Sequence, residues 1–176
     1  MPVHRRIGAP AAVLAVAALS GCALLTPPLS VPQGNAMCAN PPEPIHFGTL
    51  VENLSSRAIT LTGARLGDSE GADLIGVLVI PEIPQADGGT LTLGSGRDLA
   101  TDSPDLWAVR QPVDGFVIQP GQNVAVAFEI SRAAGADVAT VASQVITYRV
   151  DGELFSREAT SKLRFGIAED CDAIED

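Results

Sequence analysis

Over much of the chain beyond residue 45, apolar and polar residues alternate with a period of two. That period is the mark of a β-strand, whose successive side chains face opposite sides of a sheet. In "AITLTGARL", residues 58–66, Ile59 and Leu61 share one face while Thr60 and Thr62 share the other. In "GFVIQPGQNVAVAFEIS", residues 115–131, Val124, Val126 and Phe128 alternate with Asn123, Ala125 and Ala127. Pro120-Gly121 supplies a turn between the two halves of that stretch. "IHFGTLVEN" (45–53) reads as a further strand closed by the polar break "LSSR", and "GGTLTLGS" (88–95) as a short one. "ADLIGVLVI" (72–80) is a nearly continuous apolar run of strand length, ended by Pro81. "SQVITYRV" and "ELFSREATSKLRF" flank Asp151-Gly152, a strong hairpin signal. "RAAGADVATVA" (132–142), interrupted by Gly135, reads as a crossover loop. About seven or eight short strands with turns between them predict an all-β chain, an antiparallel β-sandwich of Ig-like topology. A barrel is the alternative. There is no internal repeat.

The first 44 residues break the pattern. His4-Arg5-Arg6 precede an apolar stretch from Ile7 to Leu19, which is too short to span a bilayer as a helix. A basic start, a short apolar run and small residues at its end are the parts of an export signal. The residues that close it, Leu19-Ser20-Gly21-Cys22, resemble the lipobox of bacterial lipoproteins at all four positions. The resemblance implies cleavage before Cys22, lipidation of its thiol and acylation of the new N-terminus. Several acyl chains hold a protein on a membrane stably where one does so only marginally. Residues 1–21 are then a signal peptide. Residues 22–44, with Pro27, Pro28, Pro32, Pro41, Pro42 and Pro44, read as an extended, semi-rigid tether. The sandwich domain is expected over 45–171, followed by an acidic tail at 172–176.

Charge narrows the partners. The signal holds Arg5 and Arg6 and no acidic residue, so its removal takes the net charge of −10 to about −12. A surface of that sign repels nucleic acid, which is excluded as a partner on this ground. The tail "AEDCDAIED" reads as a solvated terminus, with cation binding the minority reading. Cys38 and Cys171 are the cysteines left once Cys22 is assigned to lipid. An even pair in an exported chain predicts a disulfide, here near the two ends of the domain. Lys162 is the only lysine while Ala, Val, Gly and Arg abound, a bias that resembles proteins of GC-rich genomes such as those of actinobacteria.

Candidate chemistry is sparse. Beyond the signal the only imidazole is His46, expected as a strand-surface residue without function. No Gly-x-Ser-x-Gly elbow occurs, and the many carboxylates sit mostly in turns. His46, Met37 and Cys38 are too few for a copper site, and "ATDSPD" and "RVDGEL" lack the spacing of a calcium loop. No metal, no cofactor and no catalytic residue is therefore expected. The segment 81–114 is rich in Gly, Pro and Asp and carries the only tryptophan. "LGSGR" within it lacks the Lys-Ser/Thr ending of a phosphate loop. Arg97, Trp107 and Arg110 are its candidate binding residues, on a loop expected to project from one end of the sandwich and to select an anionic partner. The bland reading makes Trp107 a plug in the core.

From about residue 45 to 168 the chain resembles the small Ig-like or fibronectin-III-like domains of bacterial, notably actinobacterial, lipoproteins. The resemblance rests on "ENLSSRAITLTGARL", on the Pro-Gly turn of "GFVIQPGQNVAVAFEI" and on "VITYRVDGELF". It implies a sandwich and names no activity, since fold alone does not carry function. The expectation is a non-catalytic envelope lipoprotein, membrane-anchored on the extracytoplasmic face, that binds an envelope protein or a wall component. The alternative is a small-ligand carrier whose pocket lies under the 81–114 loop. An enzyme of unusual carboxylate chemistry ranks third.

Overall fold

The structure, a computed structural model, describes residues 27–173; the signal segment, Cys22 and residues 174–176 of the tail lie outside them. In chain order the strands begin with β1 (Leu29–Ser30), β2 (Ala36–Ala39), β3 (Ile45–Asn53), β4 (Ile59–Leu66), β5 (Ser69–Glu70) and β6 (Ala72–Pro81). Next come β7 (Ile83–Pro84), β8 (Thr90–Leu91), β9 (Ser95–Gly96), the helices α1 (Leu99–Asp102) and α2 (Pro104–Val109), and β10 (Gln111–Pro112). The chain continues through β11 (Val117–Ile118), β12 (Asn123–Arg132), β13 (Ala139–Val141), β14 (Gln144–Val150), β15 (Arg157–Ser161) and β16 (Arg164–Ile167). It ends in a 3-10 turn, Cys171–Ala173.

These strands form an Ig-like sandwich. One layer runs β1-β3-β12-β6-β10, with β9 also on β3. The opposite layer is two sheets, β11-β4-β14-β15 and β2-β16-β13-β5. Their shared order has a simple cause: β4 runs on into β5, β13 into β14 and β15 into β16, so three long strands are each kinked once. Gly67 donates to the Ser143 carbonyl (2.9 Å) and Ala142 to the Asp68 carbonyl (2.7 Å), holding two of the kinks together. Pairing is antiparallel except between β2 and β16, the first and last strands of that sheet, which run parallel. The period of two is met on β3, where Ile45, Phe47 and Val51 enter the core between the layers and Phe47 stacks on Phe165 at 4.8 Å.

Four local expectations change. The tether expectation fails for part of 22–44: β1 pairs with β3 and β2 with β16, and Leu29 is buried. The prolines fall beside these short strands and leave the pairing residues free, as suits a sheet edge. The Pro120-Gly121 turn crosses between layers, because β11 pairs with β4 while β12 lies between β3 and β6. Within 132–142, Ala139–Val141 is a strand, and Gly135 takes the turn with φ 83. The Asp151-Gly152 hairpin forms, but its loop is long: β15 begins only at Arg157, and Leu154 and Phe155 stand in solvent.

Cys38 and Cys171 are joined, with Cα atoms 5.7 Å apart. The bond ties β2 to the 3-10 turn that follows β16.

Candidate binding site

The segment 81–114 does not project from the end of the sandwich. It folds back over the outer face of the six-stranded layer. The cause is written in β12 and β3: the positions that would normally meet water are Ala125, Ala127 and Gly48, not charged residues. Their small size lets a second layer approach. Gly48 donates to the Gly94 carbonyl at 2.7 Å, and a Cβ there would lie 2.1 Å from the Leu93 carbonyl oxygen. Leu93, Leu99 and Leu106 pack down on Ala125, Ala127 and Ile80, forming a second apolar cluster with Trp107 at its margin. This packed cluster lies on the outer face, so the expected carrier pocket between the sheets is not what the segment covers.

Two short helices set the side chains. Asp98 caps α1 by accepting from the Thr101 amide (3.3 Å) and hydroxyl (2.8 Å). Pro104 opens α2, where its missing N–H costs nothing. At the other end, Arg110 donates to the Trp107 carbonyl at 2.6 Å and lays its guanidinium 3.7 Å from the Trp107 ring centroid. Arg110 thus satisfies a helix-end carbonyl and braces the indole. Trp107 is half-buried on the outer face, neither the core plug nor a free aromatic.

The inner face of the indole meets His46, edge to face, with ring centroids 6.3 Å apart. His46 points outward from β3 yet is only 6% exposed, because 81–114 covers it; the surface expectation fails for that reason. Its Nδ1 lies 3.2 Å from the Arg97 carbonyl, which can only accept, so Nδ1 carries the proton in the neutral ring. Nε2 faces the Glu129 carboxylate at 4.0 Å. Arg97 itself donates to the Asn40 carbonyl at 2.7 Å, and Asn40 in turn donates to the carbonyls of Ala168 (3.2 Å) and Glu169 (2.8 Å). Beside them Glu43 accepts from the Arg132 amide (2.5 Å) and pairs with its guanidinium.

One open cleft of about 370 Å³ lies here, walled by Pro42, Pro44, Leu99 and Trp107, with Glu43, His46, Arg97, Asp98 and Glu129 as its polar groups. Two of the three expected binding residues, Arg97 and Trp107, are brought together there; Arg110 stands behind Trp107, outside the lining. His46, Glu129 and the two prolines were not expected. Their signal was the run of small residues at outward positions of β3 and β12, which requires a cover. The lining offers an imidazole and carboxylates but neither hydroxyl nor thiol, so it can hold a ligand by stacking, apolar contact and hydrogen bonds. Among the described residues no cluster of three or more His, Cys, Asp or Glu is placed to hold a metal ion.

The sequence matches no protein-family model and no curated protein. Among solved structures, the chain is similar to the VesB protease of Vibrio cholerae at 14% identity and TM-score 0.39, over 80% of this chain and 32% of that one. It is also similar to a PapD-like domain of human CEP192 at 8% identity and TM-score 0.39, over 97% and 96% of the two chains. The adhesin CfaE of enterotoxigenic Escherichia coli follows at 8% identity and TM-score 0.37, over 81% and 48%. The chain therefore spans about a third of the protease and half of the adhesin.

Proposed function

We propose that this protein is a lipid-anchored envelope protein that binds another extracytoplasmic protein through the Trp107 cleft and performs no catalysis. One observation carries the reading: the 81–114 segment is fastened to the sandwich as a cap, and the fastening places Trp107, Arg97 and the prolines of 42–44 around an open surface cleft. Open, partly apolar clefts with an aromatic wall suit an extended peptide segment of a partner. The Leu-Ser-Gly-Cys ending of the N-terminal apolar run supports the anchor at Cys22. Arg97 and His46 share the cleft with Glu43, Asp98 and Glu129, so the partner is one that presents both hydrogen-bond donors and acceptors rather than a simple anion.

The test uses a photo-crosslinking residue at Ala100, which lines the cleft and is exposed, in intact cells. The expected result is a discrete protein adduct that disappears in a folded Trp107→Ala variant. An identical set of adducts from Ala100 and from a probe on the far face, at Thr147, overturns the assignment.

A carrier remains the second reading, at a different place. A groove of about 470 Å³ opens at one end of the sandwich, lined by Leu29, Val31, Leu54, Tyr148 and Ala159. It is mostly apolar, and a fatty acid that saturates it at one per chain would favour this reading.

A further inference from the structure

Leu154 and Phe155 are 91% and 79% exposed, far more than the other large apolar side chains among the described residues, of which Ile75 follows at 54%. Two adjacent bulky side chains in water are costly, at about 25 cal/mol for each Å² left uncovered. They are not on a slack loop. Arg57 donates to the Asp151 carbonyl at 3.0 Å and to Glu153 at 2.6 Å, and Arg157 grips the other side of the same carboxylate at 2.9 and 3.0 Å. The turn is thus clamped on both flanks, with its apolar tip presented outward.

The place of this tip matters. Glu153 lines a cleft together with Pro27 and Pro28, where the described chain begins. Cys22 is five residues before Pro27, a reach of at most about 18 Å. Leu54, another exposed apolar side chain, follows the end of β3 on the same side, and its amide bonds the Pro28 carbonyl at 2.8 Å. The Trp107 cleft is at the other end of β3: His46 and Asn53 are seven positions apart, about 23 Å along a strand.

We propose that the Leu154–Phe155 tip inserts into the interfacial layer of the lipid bilayer and seats the domain on the membrane with the Trp107 cleft facing away. The inference rests on the lipid anchor at Cys22, which holds the tip within reach of the bilayer. The carboxylates of Asp151 and Glu153 in the turn match in number the guanidinium charges of Arg57 and Arg157, so attraction to anionic headgroups contributes little and the contact is apolar. It therefore persists at high salt, unlike an electrostatic one.

The experiment takes the full chain, processed and purified from membranes, on phosphatidylcholine vesicles with and without brominated acyl chains. The probe is Phe155→Trp, a change at an exposed site; Trp107, present in every sample, reports the distal cleft. Flotation of wild type, lost in Cys22→Ser, establishes the anchor separately. The expected result is that the indole added by Phe155→Trp shifts to the blue and loses about half its emission or more to bromine, as befits a depth of ~5–10 Å, at low and high salt alike. Trp107 emission in wild type stays unchanged. If the chain floats and the added indole is not quenched, docking is overturned while the anchor stands. If wild type does not float, anchor and docking fall together. Quenching of Trp107 equal to that of the added indole overturns the orientation.

Discussion

Asn53 ends β3 and organises the turn after it. It is fully buried, and its amide group donates to the carbonyls of Arg57 (2.8 Å) and Ile118 (2.9 Å) while accepting from the Ser55 amide (2.9 Å) and hydroxyl (2.8 Å). Asn53→Ala removes all four bonds and takes a donor away from the buried Ile118 carbonyl. The expected loss is about 2–4 kcal/mol, read from urea midpoints. Glu153 acts at the surface of the same end. Arg57, and then Arg157, hold its carboxyl below the usual carboxylate range. A lowered folded value means that the stabilisation is complete above the ordinary Glu value of about 4.3 and is lost as pH falls through the lower folded one. Wild type is therefore expected to exceed Glu153→Gln in stability at neutral pH, with the two midpoints converging in acid below that value. A difference that persists unchanged in acid would show that the carboxylate charge is not what the clamp uses.

At the scale of elements, the cap is the feature to test. The segment 81–114 is held by the close approach of Leu93 and Gly94 to β3 and by three leucines on an alanine floor. Gly48→Ala places a methyl group 2.1 Å from a backbone oxygen that cannot rotate aside. The expected cost is about 1–3 kcal/mol, as for overpacking in a core. Its distinctive readout is local: amides of β9, α1 and α2 lose protection from hydrogen exchange before those of β4 and β14 do. Uniform loss of protection across both layers would mean that the cap and the sandwich unfold as one unit.

For the whole molecule, the bond between Cys38 and Cys171 closes a loop over a separation of 133 residues. A loop of that length corresponds to about 5 kcal/mol by the chain-entropy relation. Reduction is expected to lower the urea midpoint by a large fraction of the total and to expose the edge made by β2 and β16. A reduced protein with an unchanged midpoint would place the fold's stability in the core alone. β3 runs the length of the layer, from the cleft at His46 to the turn at Asn53, so the proposed partner contact and the proposed membrane contact fall at its opposite ends.

The alternation of side chains was enough to find the β character and the inward faces of β4 and β12, and the count of cysteines was enough to find the disulfide pair, because each depends on residues near in sequence or on a count. Local turn chemistry located Pro120-Gly121 and Asp151-Gly152, but did not say which strands they join; β11 pairs with β4 in one layer while β12 lies between β3 and β6 in the other, pairings between residues far apart in sequence. Arg97 and Trp107 stood out as residue types, whereas the burial of His46 did not, since it depends on a cover that arrives from fifty residues away. The small outward residues Gly48, Ala125 and Ala127 held that information in a form that reads as weak strand propensity until the second layer is in place. Leu154 and Phe155 look like ordinary strand residues in sequence. Only the tertiary structure, by starting β15 at Arg157 and clamping Glu153 between Arg57 and Arg157, leaves them outside the core, because a side chain's exposure is decided by the elements that do or do not come to cover it.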